Sequence, residues 1–422
     1  MEEKKSKHSI QRKVYRKTRS AVRRWRSQPL ATPSPKRLKI FTNVQSASVA
    51  GITRVMSSFA EHVNASPDTH VKLVCISTAP DNAQHEGAGW QKETNKEKHL
   101  TSLLYEGVIP PFAGVLQSAK GIEDVSRAYA TLIDAYRAAL KEEKPDVVLV
   151  NGTYIIAWAL MIAARGLRYP VVHYYHGSLI KETEHWQNEK HKRIMRAIET
   201  SFDRADLKYV FPSTLVKHYV ERNVFRHSVR KAQALVLPNP IPKEFFETPI
   251  PKDKKGVAFV GRWTRVKNTT FLDRFAYLNH MSKNPLDLYV VTDERGRGKA
   301  SKVLHDRVRF AGPYHSALEM AKFYASMQAV ICPSHFETYG NVAQEAVAAG
   351  TPALVSRNMG VAEVFRKVGL DKLIVSFANV REVFALVQEG GLPAVTNSAR
   401  EALREVAGES TVHQKLLEFI KS

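Results

Sequence analysis

The stretch Ala329-Val-Ile-Cys-Pro-Ser-His-Phe-Glu-Thr-Tyr-Gly-Asn-Val-Ala-Gln-Glu-Ala-Val-Ala-Ala-Gly-Thr-Pro352 decides the fold of the second half of this chain. Its apolar start, residues 329–332, predicts a buried strand, and the continuation rich in Ala, Glu and Gln predicts a helix. Gly340 and Asn341 lie where that helix should begin. Free backbone N–H groups and the positive end of the helix dipole would therefore face the mouth of a sheet, which suits a pyrophosphate.

Two glutamates, Glu337 and Glu345, stand in this stretch with seven residues between them. One carboxylate comes before the predicted turn and the other a helical turn inside it. A carboxylate pair beside an anion site makes sense if both accept hydrogen bonds from neutral hydroxyls, as on a ribose and a sugar ring. The alternative is a strand-loop-helix unit with incidental surface acids, and the spacing alone does not decide between the two.

The segment closely resembles the donor site of the retaining glycosyltransferases of family 4, which have the GT-B fold. Their Pro-Ser, Glu, aromatic, Gly, second Glu and Gly-x-Pro are present in order over residues 333–352. Upstream, Phe259-Val-Gly-Arg-Trp-Thr-Arg-Val-Lys-Asn268 is similar to the family's Gly-Arg followed by Lys. Downstream, Ser356-Arg-Asn-Met-Gly-Val-Ala-Glu363 is similar to its Gly-x-x-Glu loop. The resemblance covers residues 255–366.

The resemblance implies a role for each matching residue. Glu345 would hold the ribose hydroxyls of the nucleotide, and Glu337 would contact hydroxyls of the donor sugar. Phe310 would pack beside the base. Transfer would retain the anomeric configuration through a front-face, same-side displacement. The pyrophosphate and the sugar would be met by the backbone N–H groups of Tyr339, Gly340, Asn341 and Val342.

Phosphate handling is predicted for Arg262 and Lys267. The strand over residues 257–260 ends at Gly261, so Arg262 should project from the carboxyl edge of the sheet, where α/β ligand sites lie. A guanidinium binds a diphosphate through two hydrogen bonds and an ammonium adds a point charge. Two fixed cations would stabilise the charge that grows on the departing diphosphate. We therefore expect no metal and no other cofactor, since no Asp-x-Asp motif is present.

The first half of the chain resembles the family more weakly. Gly51 follows the first predicted strand and keeps one glycine of the family's pair, and Ala50 replaces the other. A residue without Cβ lets the backbone approach a phosphate or a sugar, but a plain helix start is the alternative. His176 matches the family's His-Gly, whose histidine contacts the transferring sugar, although a strand-end histidine is often structural.

Length and composition agree with a two-domain enzyme. A chain of 422 residues exceeds one hydrophobic core. The predicted fold is α/β, two Rossmann-like doubly wound domains facing across a cleft. We expect a basic arm at 1–35, an acceptor domain at 36–240 and a donor domain at 241–404, with a helix at 405–422 crossing back. The apolar settings of both cysteines, Cys75 and Cys332, predict buried thiols in a cytoplasmic protein.

Strands and helices alternate along the acceptor domain, as in doubly wound folds. Helices are predicted at 49–63 and 122–142, a polar irregular loop at 78–100, and an interdomain linker at 238–242. Strands are predicted at residues 37–43, 71–77, 145–151, 171–175, 207–211 and 234–237.

Charge is unevenly distributed, and the net charge is +22. The first thirty residues carry eleven basic and two acidic side chains. Residues 10–25 place Ile10, Val14, Ala21, Val22 and Trp25 near one helical face, which predicts a basic amphipathic helix able to lie on an anionic membrane. A solubilising tail is one alternative. A nucleic-acid arm is another, and we expect no nucleic-acid partner because no basic-aromatic platform supports one.

These observations predict transfer of a hexosyl group from a UDP- or GDP-sugar to a glycan or a lipid-linked acceptor. The leading acceptor class is envelope polysaccharide or lipopolysaccharide, made at the inner face of the cytoplasmic membrane. Two rivals remain, a GT-B enzyme of other chemistry such as a nucleotide-sugar epimerase, and a non-catalytic polyanion-binding protein.

Overall fold

The computed structural model describes residues 38–45, 51–65, 69–76, 90–95, 100–105 and 107–422. The predicted basic arm, residues 46–50 before Gly51 and most of the predicted irregular loop lie outside these residues.

Eight strands form a first sheet within the described part of the chain. They are β1 (Leu38–Gln45), β2 (Thr69–Ile76), β3 (Trp90–Asn95), β4 (Leu100–Tyr105), β5 (Val147–Asn151), β6 (Val171–Tyr174), β7 (Leu207–Phe211) and β8 (Ala234–Val236). Their order is β3-β4-β2-β1-β5-β6-β7-β8. All neighbours are parallel except β3, which runs antiparallel to β4.

The central strand β5 shows why this sheet is buried on both sides. Every residue of Val147–Asn151 is buried, as expected for a parallel strand covered by helices on two faces. Side chains alternate between faces along a strand. Val148 and Val150 accordingly pack in one core, whereas Val147 and Leu149 pack in the other.

Helices cover both faces of the first sheet. They are Gly51–Asn64, Phe112–Ser118, Ile122–Ala128, Ala130–Glu143, Ile155–Gly166, Leu179–Glu182, Glu189–Thr200 and Thr214–Val220, followed by a π-helical turn at Glu221–Phe225 and a 3-10 turn at Lys231–Gln233.

The single helix predicted over residues 122–142 is wrong, because the helix is interrupted at Tyr129. That residue leaves helical geometry, with φ −106° and ψ 16°. Its ring is buried and its hydroxyl donates a 2.8 Å hydrogen bond to the carbonyl of Pro110. The anchored tyrosine thus separates Ile122–Ala128 from Ala130–Glu143.

The irregular structure predicted for residues 78–100 is also wrong in part. Residues Trp90–Asn95 form β3, the edge strand of the sheet, and Leu100 begins β4. An edge strand faces water and tolerates polar residues, so a polar sequence there does not mark a loop.

Five parallel strands form the second sheet of the described chain, in the order β11-β10-β9-β12-β13. They are β9 (Val257–Val260), β10 (Leu288–Val291), β11 (Arg309–Phe310), β12 (Ala329–Cys332) and β13 (Ala353–Val355). The helices that follow the first sheet are Lys243–Glu247, Thr269–His280, Glu294–Leu304, Ala317–Ser326, Asn341–Ala348, Val361–Lys367, Val380–Gln388, Asn397–Ala407 and Glu409–Lys421, with 3-10 turns at Arg265–Lys267 and Asp371–Leu373. The sheet and its helices enclose one core, and the predicted pair of Rossmann-like domains is confirmed.

The chain crosses between the domains twice, and the two crossings touch. Residues 238–242 lead from the first sheet to the second, and Gly408 leads back. The Ile241 N–H donates a 2.8 Å hydrogen bond to the carbonyl of Ala407. Beyond Gly408, helix Glu409–Lys421 packs on the first sheet beside helix Gly51–Asn64.

The carboxyl ends of both sheets face each other across the cleft. Ser213, just after β7, donates a 2.7 Å hydrogen bond to the carbonyl of Thr338 in the loop after β12. The Thr338 hydroxyl in turn donates to the carbonyl of His176, just after β6, at 2.6 Å. Ligand sites of parallel sheets lie at this edge, so the cleft is the expected ligand-binding site. No described helix is both long and apolar enough to span a bilayer.

Candidate functional site

The loop after β12 enters its helix through a glycine, as the sequence predicts. Gly340 has φ +127° and immediately precedes helix Asn341–Ala348. A Cβ at this position would lie 2.8 Å from Met359 Cε and 2.9 Å from Val361 Cγ1, so only glycine fits. The first N–H groups of the helix have no partner one turn back, and they open toward the carboxyl edge of the sheet.

The loop also holds an ion pair between two predicted site residues. Lys267 Nζ lies 2.7 Å from Glu337 Oε1, and both side chains are less than one-fifth exposed. The Ser334 hydroxyl donates to the same carboxylate oxygen at 2.5 Å. Lys267 comes from the 3-10 turn Arg265–Lys267 after β9, so the two motifs meet although 70 positions separate them along the chain. The pair fixes the Glu337 carboxylate where the loop turns toward the first domain.

The side chains inside helix Asn341–Ala348 are buried. Glu345 is 5% exposed and lies in the second turn. The Tyr339 hydroxyl donates to Gln344 Oε1 at 2.6 Å, so its ring belongs to the core and only its backbone can meet a ligand. Asn341 Oδ1 accepts a 2.8 Å hydrogen bond from Asn239 of the linker. These contacts seat the helix against the crossing between domains.

Arg262 lies at the carboxyl end of β9 and is exposed. The positive charge of Arg262 acts on two residues of the first domain, Tyr154 and Glu182. It lowers their pKa values, although burial raises both by more. Lys267 acts on Glu182 in the same direction. The two predicted phosphate cations therefore share the cleft with a carboxylate that the sequence reasoning did not identify.

His176 lies on the first-domain wall, two residues after β6 ends. Its ring is stacked on Tyr174 with centroids 4.0 Å apart, and the residue is 7% exposed. Burial, and then the neighbouring His173, lower the pKa of His176 to about 3. Both ring nitrogens are buried without a hydrogen-bond partner among the described residues. A neutral imidazole held in this way can donate one hydrogen bond and accept another, as a sugar hydroxyl requires.

A buried glutamate positions the His176 loop. Glu199 is fully buried and accepts hydrogen bonds from the Tyr175 hydroxyl and, at 2.6 Å, from the Ile180 N–H. Burial raises the pKa of Glu199 to about 7, against the lowering effect of these hydrogen bonds. Its position on helix Glu189–Thr200 gave no sequence signal, because its partners come from another element.

Three further motif residues are placed by other elements. Gly51 begins helix Gly51–Asn64. Phe310 lies on the edge strand β11, with the Arg297 guanidinium 5.2 Å from its ring centroid. Glu363, the last residue of the Gly-x-x-Glu loop, reaches the first domain, where its carboxylate accepts the N–H groups of Thr214 at 2.8 Å and Leu215 at 2.6 Å. It caps a helix of the other domain.

Two further residues of the wall were not predicted, Tyr154 and Glu182. Tyr154 comes three residues after β5 ends, and Glu182 ends the short helix after β6. Both follow strand ends at the carboxyl edge, which is the signal that identified Arg262 in the second domain. The rule alone does not select them, because Tyr154 lies three residues and Glu182 eight residues beyond its strand.

Metal coordination has no support within the described ranges, where no group of three or more His, Cys, Asp or Glu side chains is placed to hold an ion. The expectation of metal-free chemistry stays a prediction.

Two family models match the chain in succession. The model described as Glycosyltransferase Family 4 matches residues 51–245, and the model described as Glycosyl transferases group 1 matches residues 254–389. The chain belongs to family 4 of the glycosyltransferases. The predicted resemblance is thereby confirmed, and the boundary between the two matches falls just after the linker.

Relatives of this family 4 chain agree with the assignment. A GDP-mannose-dependent alpha-mannosyltransferase from Corynebacterium glutamicum is 22% identical over 60% of this chain and 60% of its own length. A UDP-N-acetylglucosamine–N-acetylmuramyl-(pentapeptide) pyrophosphoryl-undecaprenol N-acetylglucosamine transferase from Cronobacter sakazakii is 25% identical over 56% of this chain and 59% of its own length. The chain spans between 29% and 60% of the length of the curated relatives it matches.

A solved structure shares the whole architecture. Sucrose-phosphate synthase from Thermosynechococcus elongatus superposes with a TM-score of 0.68 at 17% identity, covering 91% of this chain and 98% of that one. The likeness shows that this family 4 chain has the GT-B fold.

Proposed function

We propose that this protein is a retaining glycosyltransferase that moves a hexosyl group from a UDP- or GDP-sugar to a glycan or glycolipid acceptor. One observation carries the proposal. The Thr338 hydroxyl donates a 2.6 Å hydrogen bond to the His176 carbonyl. This bond brings the loop that carries the neutral His176 imidazole next to the Lys267–Glu337 pair and the start of helix Asn341–Ala348. A polar site thus adjoins an anion site at one cleft.

The donor would lie on the second domain. Arg262, Lys267 and the helix N-terminus would bind the diphosphate and stabilise the negative charge that grows as the bond to the sugar breaks. Glu345 would hold the ribose, and Phe310 would pack beside the base. With two fixed cations in place, transfer would need no divalent metal.

Transfer would occur on one face of the sugar. The bond from the anomeric carbon to the diphosphate oxygen breaks, a bond to the acceptor oxygen forms on the same face, and the acceptor proton passes to the departing diphosphate. Glu337 and His176 would hold hydroxyls of the moving sugar. Because burial keeps His176 neutral, it can hydrogen-bond without adding charge.

The acceptor class rests on chemistry outside the cleft. A local excess of basic residues in the arm suits an anionic lipid surface, where each would contribute about 1 kcal/mol. The name of the Cronobacter relative specifies an undecaprenol-linked acceptor, and the name of the Corynebacterium relative specifies GDP-mannose as the donor. The first name supports a lipid-linked acceptor, in keeping with envelope polysaccharide or lipopolysaccharide synthesis, and the second supports a GDP-sugar donor.

The decisive experiment screens UDP-, GDP- and ADP-sugars by thermal shift and then assays donor hydrolysis and transfer. A ligand of the native state raises the unfolding temperature, so the true donor should stand out. Glu345→Ala and Arg262→Ala should abolish transfer without lowering the unfolding temperature of the free protein by much. Arg274→Ala is the matched control, because Arg274 is exposed on helix Thr269–His280.

The outcomes separate the rival functions. Undiminished transfer in either site variant would refute the donor site. Conversion of the sugar without transfer would indicate an epimerase, and binding of polyanions without any hydrolysis would indicate a non-catalytic protein. Complete loss of activity in EDTA that Mg²⁺ restores would refute the metal-free mechanism.

A further inference from the structure

The first-domain wall of the cleft carries an aromatic ring and a carboxylate on adjoining loops. Tyr154 stands at the start of helix Ile155–Gly166, and Glu182 at the end of helix Leu179–Glu182. The two loops are tied together because the Thr153 hydroxyl donates a 2.8 Å hydrogen bond to the carbonyl of Gly177. The side chains come from different strands but share one edge.

The Tyr154 ring is both exposed and supported. It is 48% exposed, which is unusual for a residue of this size. Phe112 packs against it edge to face, with ring centroids 5.4 Å apart, and Phe112 in turn leans on the buried Tyr129. An aromatic ring fixed from behind loses little conformational freedom when a ligand lies on it. The arrangement makes a platform, not a mobile surface side chain.

The Glu182 carboxylate lies beside the His176 loop. Its Oε1 atom is 3.3 Å from where a Cβ on residue 177 would be, so glycine makes room for it. Among the described residues none hydrogen-bonds to this carboxylate or forms an ion pair with it. Burial raises the pKa of Glu182, whereas the charges of Arg262 and Lys267 across the cleft lower it. Burial, and then the Glu182 charge, raise the pKa of Tyr154, and the Thr153–Gly177 hydrogen bond joins the loops that carry the ring and the carboxylate.

We infer that Tyr154 and Glu182 form the acceptor subsite, and that this subsite takes a neutral pyranose ring. The inference rests on the proposed function and names its acceptor chemistry. One face of a pyranose consists of C–H groups that pack on an aromatic ring, and its rim consists of hydroxyls that donate to a carboxylate. Glu182 Oε1 lies against Gly177, the residue after His176, so a sugar held here would adjoin the predicted position of the donor sugar.

The charge of the subsite selects against anionic acceptors. A phosphate or carboxylate on the acceptor ring would lie beside the Glu182 carboxylate, and the two negative charges would repel each other. The neighbouring cations do not offset this, since Arg262 and Lys267 would be engaged by the donor diphosphate. The second-domain wall would thus bind the donor through its cations, and the first-domain wall would bind the acceptor through the Glu182 carboxylate.

The test measures sugar binding to the full-length protein by saturation-transfer NMR in the presence of saturating UDP or GDP. The probes are the methyl α-glycosides of glucose, mannose and galactose, and glucose 6-phosphate. At least one neutral glycoside should bind, and glucose 6-phosphate should bind more weakly. Tyr154→Ala and Glu182→Gln should each weaken that binding at least about tenfold, equivalent to about 1.4 kcal/mol. Tyr154→Phe keeps the platform and should stay near the wild type.

Two control variants change the same residue types elsewhere. Tyr277→Ala removes an aromatic residue that is 55% exposed on the second domain, and Glu184→Gln removes a carboxylate two positions after Glu182 whose side chain is 67% exposed. Neither should change glycoside binding. Tyr154→Ala should retain nucleoside diphosphate binding, and Glu182→Gln should bind the diphosphate at least as tightly as the wild type, because it removes a negative charge that acts on Arg262 and Lys267.

Three results would overturn the subsite: no neutral glycoside binds the wild type, glucose 6-phosphate binds better than all of them, or Tyr154→Ala and Glu182→Gln bind them as well as the wild type. The proposed function would survive any of these if donor binding and hydrolysis persist. It would fail separately if the wild-type protein neither binds nor hydrolyses any nucleotide-sugar.

Discussion

The Thr338 hydroxyl donates a 2.6 Å hydrogen bond to the backbone carbonyl of His176, and this bond ties the donor loop to the opposite wall of the cleft. Because Glu337 precedes Thr338 directly, the bond sets the distance between the two predicted sugar-contacting residues. The relation joins positions 162 apart in the sequence.

Removing this bond should affect catalysis more than folding. Thr338→Val keeps the shape of the side chain but loses the hydroxyl, and one hydrogen bond contributes about 1 kcal/mol, or roughly a fivefold change in kcat/KM. The measurement is steady-state transfer kinetics beside urea unfolding. Thr270→Val, an exposed position on helix Thr269–His280, is the control. Equal kinetics for the two variants would show that the cross-cleft bond has no catalytic weight.

The Lys267–Glu337 pair should behave as one unit. Lys267→Met and Glu337→Gln should each lower kcat by at least about 100-fold, because each removes charge or geometry needed as the diphosphate departs. In urea unfolding, the double variant should be less destabilised than the sum of the singles, by on the order of 1 kcal/mol, since each single leaves a partly buried charge unpaired. Simple additivity in stability would mean that the ion pair is not coupled.

Stability should fall in acid through the buried His413. This residue lies on the returning helix, 1% exposed, beside the Ser58 hydroxyl and the His62 ring. Burial lowers the pKa of His413 to about 3 from an ordinary 6.5. Between pH 3 and pH 6.5, His413 is therefore protonated in the unfolded chain but neutral in the folded chain. Its contribution is therefore complete above pH 6.5 and is lost as pH falls toward 3.

The test compares urea unfolding at pH 7 and pH 5. His413→Gln should lose less stability than the wild type between these values, by on the order of 1 to 2 kcal/mol. His227→Gln is the control of opposite sign, because a hydrogen bond from its imidazole to the backbone carbonyl of Ser228 and the charge of Asp203 raise the pKa of His227. It should not reduce the acid sensitivity. Identical pH dependence in wild type and His413→Gln would contradict the assignment.

Glu363 should hold the domains together through a helix end. Its carboxylate accepts the N–H groups of Thr214 and Leu215, so Glu363→Ala removes a cap and a favourable dipole interaction worth about 1 to 2 kcal/mol. Small-angle scattering should show a larger radius of gyration for Glu363→Ala than for the wild type. Glu363→Gln, which keeps one acceptor, should fall between them. An unchanged radius would mean that the other cross-cleft contacts suffice.

The basic arm should determine membrane binding and nothing in the cleft. Deleting residues 1–30 should lower co-sedimentation with anionic vesicles, and added salt should have the same effect on the full-length protein, since both remove electrostatic attraction. Thermal shift by the nucleotide-sugar should be unchanged. If both proteins ignore anionic vesicles at low salt, a soluble acceptor becomes the better proposal.

The donor half of the site could be predicted from the sequence because its geometry is local. A strand, a tight turn at Gly340 and a helix start follow one another within about twenty residues, and the chain itself brings them together. The acceptor half could not be predicted in this way. Tyr154, Glu182 and Glu199 come from three separate segments that only the packing of the first sheet brings close.

Glu363 shows a second limit of sequence reasoning. The motif places it in the second domain, but its partners Thr214 and Leu215 belong to the first, so its effect depends on how the domains meet. The edge strand Trp90–Asn95 shows a third. Its polar residues match a loop in composition, and only its pairing with β4 shows that it is a strand.

The contact between Ile241 and Ala407, where both interdomain crossings are hydrogen-bonded to each other, gives the two domains a shared pivot whenever the cross-cleft bonds of Ser213, Thr338 and Glu363 are broken. A body attached at one line can rotate about it but cannot slide. The amplitude of such a rotation grows with distance from the line. Asn341, which is hydrogen-bonded to the linker residue Asn239, would therefore move little, whereas the outer rim of the cleft would move most. Opening for an acceptor would therefore disturb the diphosphate end of the donor least.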